Sequence, residues 1–285
     1  MPVPAQNQQY ENFIIRYKQN IHGTFPYESD DTFQIVNDLF GILYVPMKDV
    51  PELELSSYSY SSIPRCYTYM DTGALSASGV TRLHNHPYLK LQGKGTLVAV
   101  IDSGIDYLHP AFHNGVQSKI FSIWDQTLEG GADGRIPFGR EFGRQQIEQA
   151  LASENPWEIV PSSDTNGHGT RSAATAAGYR IEKENFCGAA PEAEIVIVKL
   201  KQAKNYLRDF YLLPRDIDIF QEDDIMLAIS YVLFIAQEQQ MPLSICIGLG
   251  TSMGAHQGEG PLNEYINSIA AFTQNAVSVP AGNEG

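Results

Sequence analysis

Val98-Ala-Val-Ile-Asp-Ser-Gly-Ile-Asp106 is the stretch on which the fold turns. With Thr96 and Leu97 ahead of it, the run to Ile101 is continuous and β-prone, the pattern of a parallel strand covered on both faces. Asp102 then stands at the strand's carboxyl end. In open α/β sheets functional groups gather at that edge, because the strand holds a side chain firmly while the following loop leaves it reachable. Gly104 permits a sharp turn after it. Taken alone, Asp-Ser-Gly is also ordinary turn chemistry, so a capping role for Asp102 stays open at this point.

A second segment, Asp164-Thr-Asn-Gly-His-Gly-Thr170, changes the weighting. Two glycines clear the space around His168, and Thr170-Arg-Ser-Ala-Ala-Thr-Ala-Ala-Gly178 follows as a small-residue helix able to pack close to a sheet. A general base for a serine hydroxyl needs an imidazole that takes the proton and a buried carboxylate that fixes its tautomer. Asp102 and His168 fit those two roles. The other histidines, His22, His84, His86, His109, His113 and His256, have no such surroundings and read as structural or surface residues.

These two blocks, followed by Ala189-Ala-Pro191 leading into Glu194-Ile-Val-Ile-Val-Lys-Leu200 and by Ser278-Val-Pro-Ala-Gly-Asn-Glu-Gly285, resemble in their order the subtilisin-like serine proteases. The resemblance runs from about residue 80 to 285. It implies an α/β fold, a three-layer, doubly wound, mostly parallel sheet of subtilisin type that is incomplete at the C-terminus, spanning residues 81–285. It further implies Asp102 and His168 as triad members, Asn283 as the oxyanion donor, and the backbone of Gly248, Leu249 and Gly250 as the edge that pairs with substrate. Relatives carry Ser-Leu-Gly where this chain has Gly248-Leu249-Gly250, a loss that leaves backbone pairing intact. Arg171 replaces a histidine common after Gly-Thr. The long segment Asp125 to Pro161, read as a loop, and the Gly-Thr block after residue 249 resemble the branch containing clostridial spore-germination proteases.

Gly250-Thr-Ser-Met-Gly254 imitates the block that carries the family's nucleophile, yet Ser252 directly follows the substrate strand and precedes Asn283, the reverse of the familiar order. Its continuation, Gly254-Ala-His-Gln-Gly-Glu-Gly-Pro261, is loop chemistry. The nucleophile is therefore expected in a C-terminal remainder of the same protease, leaving residues 1–285 inactive alone. Between these landmarks Glu222 to Gln239 reads as an amphipathic helix with acids favourably placed in its first turn, Pro242 to Gly250 as a buried strand, and Leu262 to Gln274 as a helix.

The first 80 residues differ in character. Asn12 to Tyr17 and Phe40 to Val45 are strand-like around a short helical candidate at Asp31 to Asp38, and an aromatic run from Tyr58 to Tyr69 leads onward. In position and size this α+β segment resembles a prodomain, whose tail would lie along the cleft near Leu249 and Asn283. A permanent N-terminal subdomain is the other reading.

Composition narrows the partners. With 43% apolar residues among 285 the chain can bury a substantial core. Its 33 acidic and 19 basic residues give a formal charge of −14, which argues against nucleic acid and anionic membranes. No stretch is apolar for long enough to span a bilayer, and the start lacks signal-peptide character, favouring a bacterial cytoplasm or spore. Cys66, Cys187 and Cys246 lack metal spacing and read as reduced, buried thiols. No cofactor is required for the expected chemistry. The resemblance allows a structural calcium at Asp106, although one carboxylate is far from the roughly 6–8 oxygens calcium takes. The expected partner is a peptide or protein substrate. A non-catalytic scaffold that binds peptide or a partner protease is the rival from another class.

Overall fold

The computed structural model describes residues 3–17, 32–50, 58–69, 84, 88, 91–130, 135–184, 186–251, 253–254, 257–272 and 274–280. In chain order the strands are β1 (Tyr10–Arg16), β2 (Phe33–Ile35), β3 (Phe40–Pro46), β4 (Cys66–Tyr69), β5 (Leu97–Asp102), β6 (His113–Asn114), β7 (Gln117–Ser118), β8 (Ile120–Asp125), β9 (Arg140–Gly143), β10 (Glu194–Lys199), β11 (Phe220–Gln221), β12 (Leu243–Ile247), β13 (Leu249–Gly250) and β14 (Asn275–Ser278). The helices are α1 (Arg144–Leu151), α2 (Pro156–Ile159), α3 (His168–Ala177), α4 (Asn205–Phe210), α5 (Glu222–Gln239) and α6 (Pro261–Ala270).

All six residues of β5 are buried, and their alternation assigns them to two cores. Leu97, Ala99 and Ile101 pack with Ile225, Ile229 and Val232 of α5. Val98 and Val100 pack on the opposite face with Ala173 and Ala177 of α3. β10 divides the same way, Val196 and Val198 against Ile195 and Ile197. The strand order is β14-β12-β5-β10-β8-β9; β5 lies between its parallel neighbours β12 and β10, and β9 runs antiparallel to β8. Two-sided burial of a parallel strand is what its unbroken apolar sequence demands.

The N-terminal residues form a second sheet, order β1-β3-β2. Its Ile14, Phe40, Ile42 and Tyr44 join the core that contains α5, and burying a side chain such as Ile42 is worth about 1.5–3 kcal/mol. α5 is therefore sandwiched between two sheets. Its acids Glu222, Asp223 and Asp224 do stand in the first turn, as expected, and all three are buried. The helix expected at 31–38 is corrected. Phe33–Ile35 is a strand paired with β3, and Asn37 Oδ1 accepts the N–H groups of Leu39 (2.9 Å) and Phe40 (2.8 Å), which makes a turn where a helix would continue.

Residues 125–161 are not one long loop but carry β9, α1 and α2, with Ile147 and Ala150 of α1 buried against the sheet. The helix expected to reach Gln274 ends at Ala270. Cys66 is buried, whereas Cys187 and Cys246 are half-buried, and all three are free thiols. The expected boundary at 80/81 lies outside the described residues. Among the described residues no helix is long and apolar enough to cross a membrane.

Candidate active site

β5 delivers Asp102, fully buried, to the carboxyl edge of the sheet. His168 opens α3, whose small residues let it sit tightly on the same edge. The His168 Nδ1 lies 2.8 Å from Asp102 Oδ1 and 3.0 Å from Oδ2. Ser103 N–H donates to Asp102 Oδ1 at 2.7 Å. An imidazole whose Nδ1–H is held by a carboxylate carries its basic lone pair on Nε2, the tautomer a general base requires.

Two glycines make that approach feasible. A Cβ on Gly169 would collide with the carbonyl oxygen of Gly104, so only glycine lets the first turn of α3 reach the loop after β5. A Cβ on Gly248 would fall inside the contact radius of Asp102 Oδ2 and 3.2 Å from His168 Cε1. The strand expected from Pro242 to Gly250 is correspondingly broken there into β12 and β13. The absence of a side chain at this position is thus coupled to where Asp102 sits. Cys246, on β12, supplies no thiolate at neutral pH, since burial and then the Asp102 carboxylate push its thiol up to about 11.

Leu249 and Gly250 pair antiparallel with β4, Leu249 opposite Tyr69 and Gly250 opposite Thr68. On its other side β4 pairs antiparallel with β11, Phe220 opposite Tyr67 and Gln221 opposite Cys66. The edge expected to take a peptide therefore already holds an extended segment of the chain's own N-terminal part. A 170 Å³ hollow remains beside it, lined among others by Cys66, Ile219, Gly250 and Met253.

The structure brings together Asp102, His168 and Gly248, with β13 continuing from Gly248. Asn283 and Ser252 lie outside the described residues. Asp106 Oδ1 accepts Leu108 N–H at 3.1 Å, and among the described residues no group of three or more His, Cys, Asp or Glu side chains is arranged to hold a metal ion. His113 bonds the carbonyls of Leu108 and Gly115, a structural use. Sequence reasoning missed the pairing of β4, whose signal was its short β-prone run Cys-Tyr-Thr-Tyr. It also left Asp164 without a task, although its place four residues before His168 was visible.

The fold is thus an α/β protein in which a carboxylate-oriented imidazole stands at the carboxyl edge of a mostly parallel sheet, close to the short strand β13. Residues 93–211 match the Subtilase family. The chain is 29% identical over 197 residues to an intracellular serine protease of Paenibacillus polymyxa, covering 68% of this chain and 43% of that protein. It is 25% identical over 202 residues to subtilisin-like protease SBT1.9 of Arabidopsis thaliana, covering 65% and 25%. Among solved structures it resembles the Clostridium perfringens CspB protease, with a TM-score of 0.60 and 29% identity over 73% of this chain and 40% of that one. The chain is thus similar to subtilisin-like proteases and spans less than half the length of each of these relatives.

Proposed function

We propose that this chain contributes the base, its orienting carboxylate and the substrate edge of a serine endopeptidase. The observation that carries the reading is the 2.8 Å contact between His168 and Asp102 at the end of a buried parallel strand. In this reading a serine from a C-terminal remainder of the same protease attacks the peptide carbonyl, His168 takes its proton and returns it to the leaving amine, and Asp102 holds the imidazole throughout. Asn283 donates its side-chain amide to the oxyanion, a contribution of about 2.7–4 kcal/mol. The substrate is a peptide or protein strand paired with Leu249 and Gly250.

Residues 1–80 act in the same reading as a prodomain. The antiparallel pairing of β4 with β13 supports this, because a strand there excludes substrate. A fluorophosphonate probe tests the whole. The 285-residue chain is expected to stay unlabelled, and protein expressed with the coding sequence past Gly285 is expected to label at a downstream serine, with loss of labelling in His168→Ala. Labelling at Ser252 would overturn the assignment of the nucleophile, and an extended protein that neither labels nor cleaves peptides would overturn the protease reading.

A further inference from the structure

We infer that Asp164 is a positioning residue for His168, a single carboxylate that fastens the turn carrying the imidazole to the strand end carrying Asp102. The inference rests on the reading of His168 as general base and extends it to a group that reading leaves idle.

Asp102 and His168 come from elements far apart in sequence, and their contact requires the first turn of α3 to be held at one height above β5. Asp164 Oδ1 accepts the Ser103 hydroxyl at 2.8 Å and the Gly167 N–H at 3.0 Å. Its Oδ2 accepts both the N–H (2.8 Å) and the hydroxyl (2.7 Å) of Thr170. Ser103 Oγ in turn accepts the Gly169 N–H at 2.9 Å, and Thr170 Oγ1 accepts the Asp106 N–H at 2.9 Å. The carboxylate thereby reaches the residues on both sides of His168 and the residue next to Asp102.

The charge is well suited to that task. Burial alone would raise the carboxyl pKa, but donation from Thr170, Ser103 and Gly167 outweighs it and holds the group below the ordinary carboxylate value. The N-terminus of α3 favours an anion at the same place. The four donors satisfy the carboxylate fully, so its loss would free several of them at once rather than one.

The test is NMR on the 285-residue chain, following exchange of the His168 Nδ1 proton with water, the signal being assigned through its loss in Asp102→Asn. Asp164→Asn replaces one accepting oxygen with a donor that meets the donors of Thr170. Loss of charge-assisted hydrogen bonds of this kind accelerates local opening by about 10- to 100-fold, and the Nδ1 proton is expected to exchange faster by that factor while the ring signals of His113 stay in place. Thr170→Val, which removes the hydroxyl link alone, is expected to act in the same direction by a smaller factor, and it decides the matter if Asp164→Asn fails to fold. Unchanged exchange in the folded variants would overturn the role. The proteolytic reading is judged separately by probe labelling: unchanged exchange with successful labelling removes only the positioning role, and accelerated exchange without labelling sustains it while removing the protease.

Discussion

Arg65 and Glu222 close on each other across the seam between the N-terminal segment and α5, their side chains 8% and 1% exposed. Arg65 donates from its backbone N–H (3.1 Å) and from Nε (3.1 Å) to Glu222 Oε2, and Glu222 N–H donates back to the Arg65 carbonyl at 2.7 Å. Because Arg65 immediately precedes β4, this exchange fixes where that strand enters the edge beside β13.

Arg65→Met is expected to destabilise the chain by about 3–5 kcal/mol, the cost of leaving one partner of a buried ion pair alone. Combining it with Glu222→Met should recover much of that loss. Chemical denaturation reads the stability, and amide exchange at residues 66–69 reads whether β4 leaves β13. Wild-type protection in the single variant would show that the pair does not hold the strand.

Lys204 gives the seam a pH dependence. Its Nζ donates to the carbonyls of Pro4 (2.9 Å) and Tyr10 (3.1 Å) and to Asn12 Oδ1 (2.6 Å). Burial, then the neighbouring Lys201, lower its pKa to about 7 against the pull of Asp223, Asp224 and Glu11. Between that value and the ordinary lysine value the unfolded chain binds the extra proton, so this group's contribution to stability rises with pH. It is fully present above the unfolded pKa and is lost as pH falls through about 7. The difference in denaturation midpoint between wild type and Lys204→Met should therefore shift in favour of wild type from pH 7 to 9. A flat difference over that range would contradict the assignment.

Gly248→Ser should disturb the pair it faces. Its Cβ would crowd Asp102 Oδ2, and overpacking of this type costs about 1–3 kcal/mol. A crystal structure of the variant is expected to show Asp102 moved from His168. Retention of the 2.8 Å contact would mean that the backbone at 248 yields instead.

Ile42→Ala probes the shared core. Ile42 is fully buried among residues of both the N-terminal sheet and α5, and truncation there is expected to cost about 2–5 kcal/mol in a single unfolding transition. Two separated transitions in the wild type would show that the N-terminal sheet and the larger sheet unfold independently.

The parts of this molecule legible in the sequence are those where a local pattern has one physical outcome. The run Leu97 to Ile101 could only be a doubly covered strand, and two glycines around His168 announced a close approach. The bounds of α5 were equally plain. What surrounded them was not. Three acids at the head of α5 read as partners of the helix dipole, and nothing local says that a second sheet covers them. Asn37 was read as part of a short helix, although its side chain bonds the backbone two and three residues on and turns the chain. The helices within 125–161 were masked by Gly, Glu and Arg, a composition equally at home in loops.

The position of β5 at the middle of the large sheet sets a timetable for synthesis. Its neighbour β12 pairs Leu243 with Leu97, a separation that takes a ribosome roughly 7 to 30 s to cover at about 5–20 residues per second. β1 and β3, by contrast, are complete once Pro46 has emerged, with Phe40, Ile42 and Tyr44 on one sheet. For that interval β5, buried along its whole length in the finished fold, is exposed along an unpaired backbone edge, the condition under which nascent chains aggregate. Until translation reaches Ile247, the β12-side edge of β5 has no native strand to pair with.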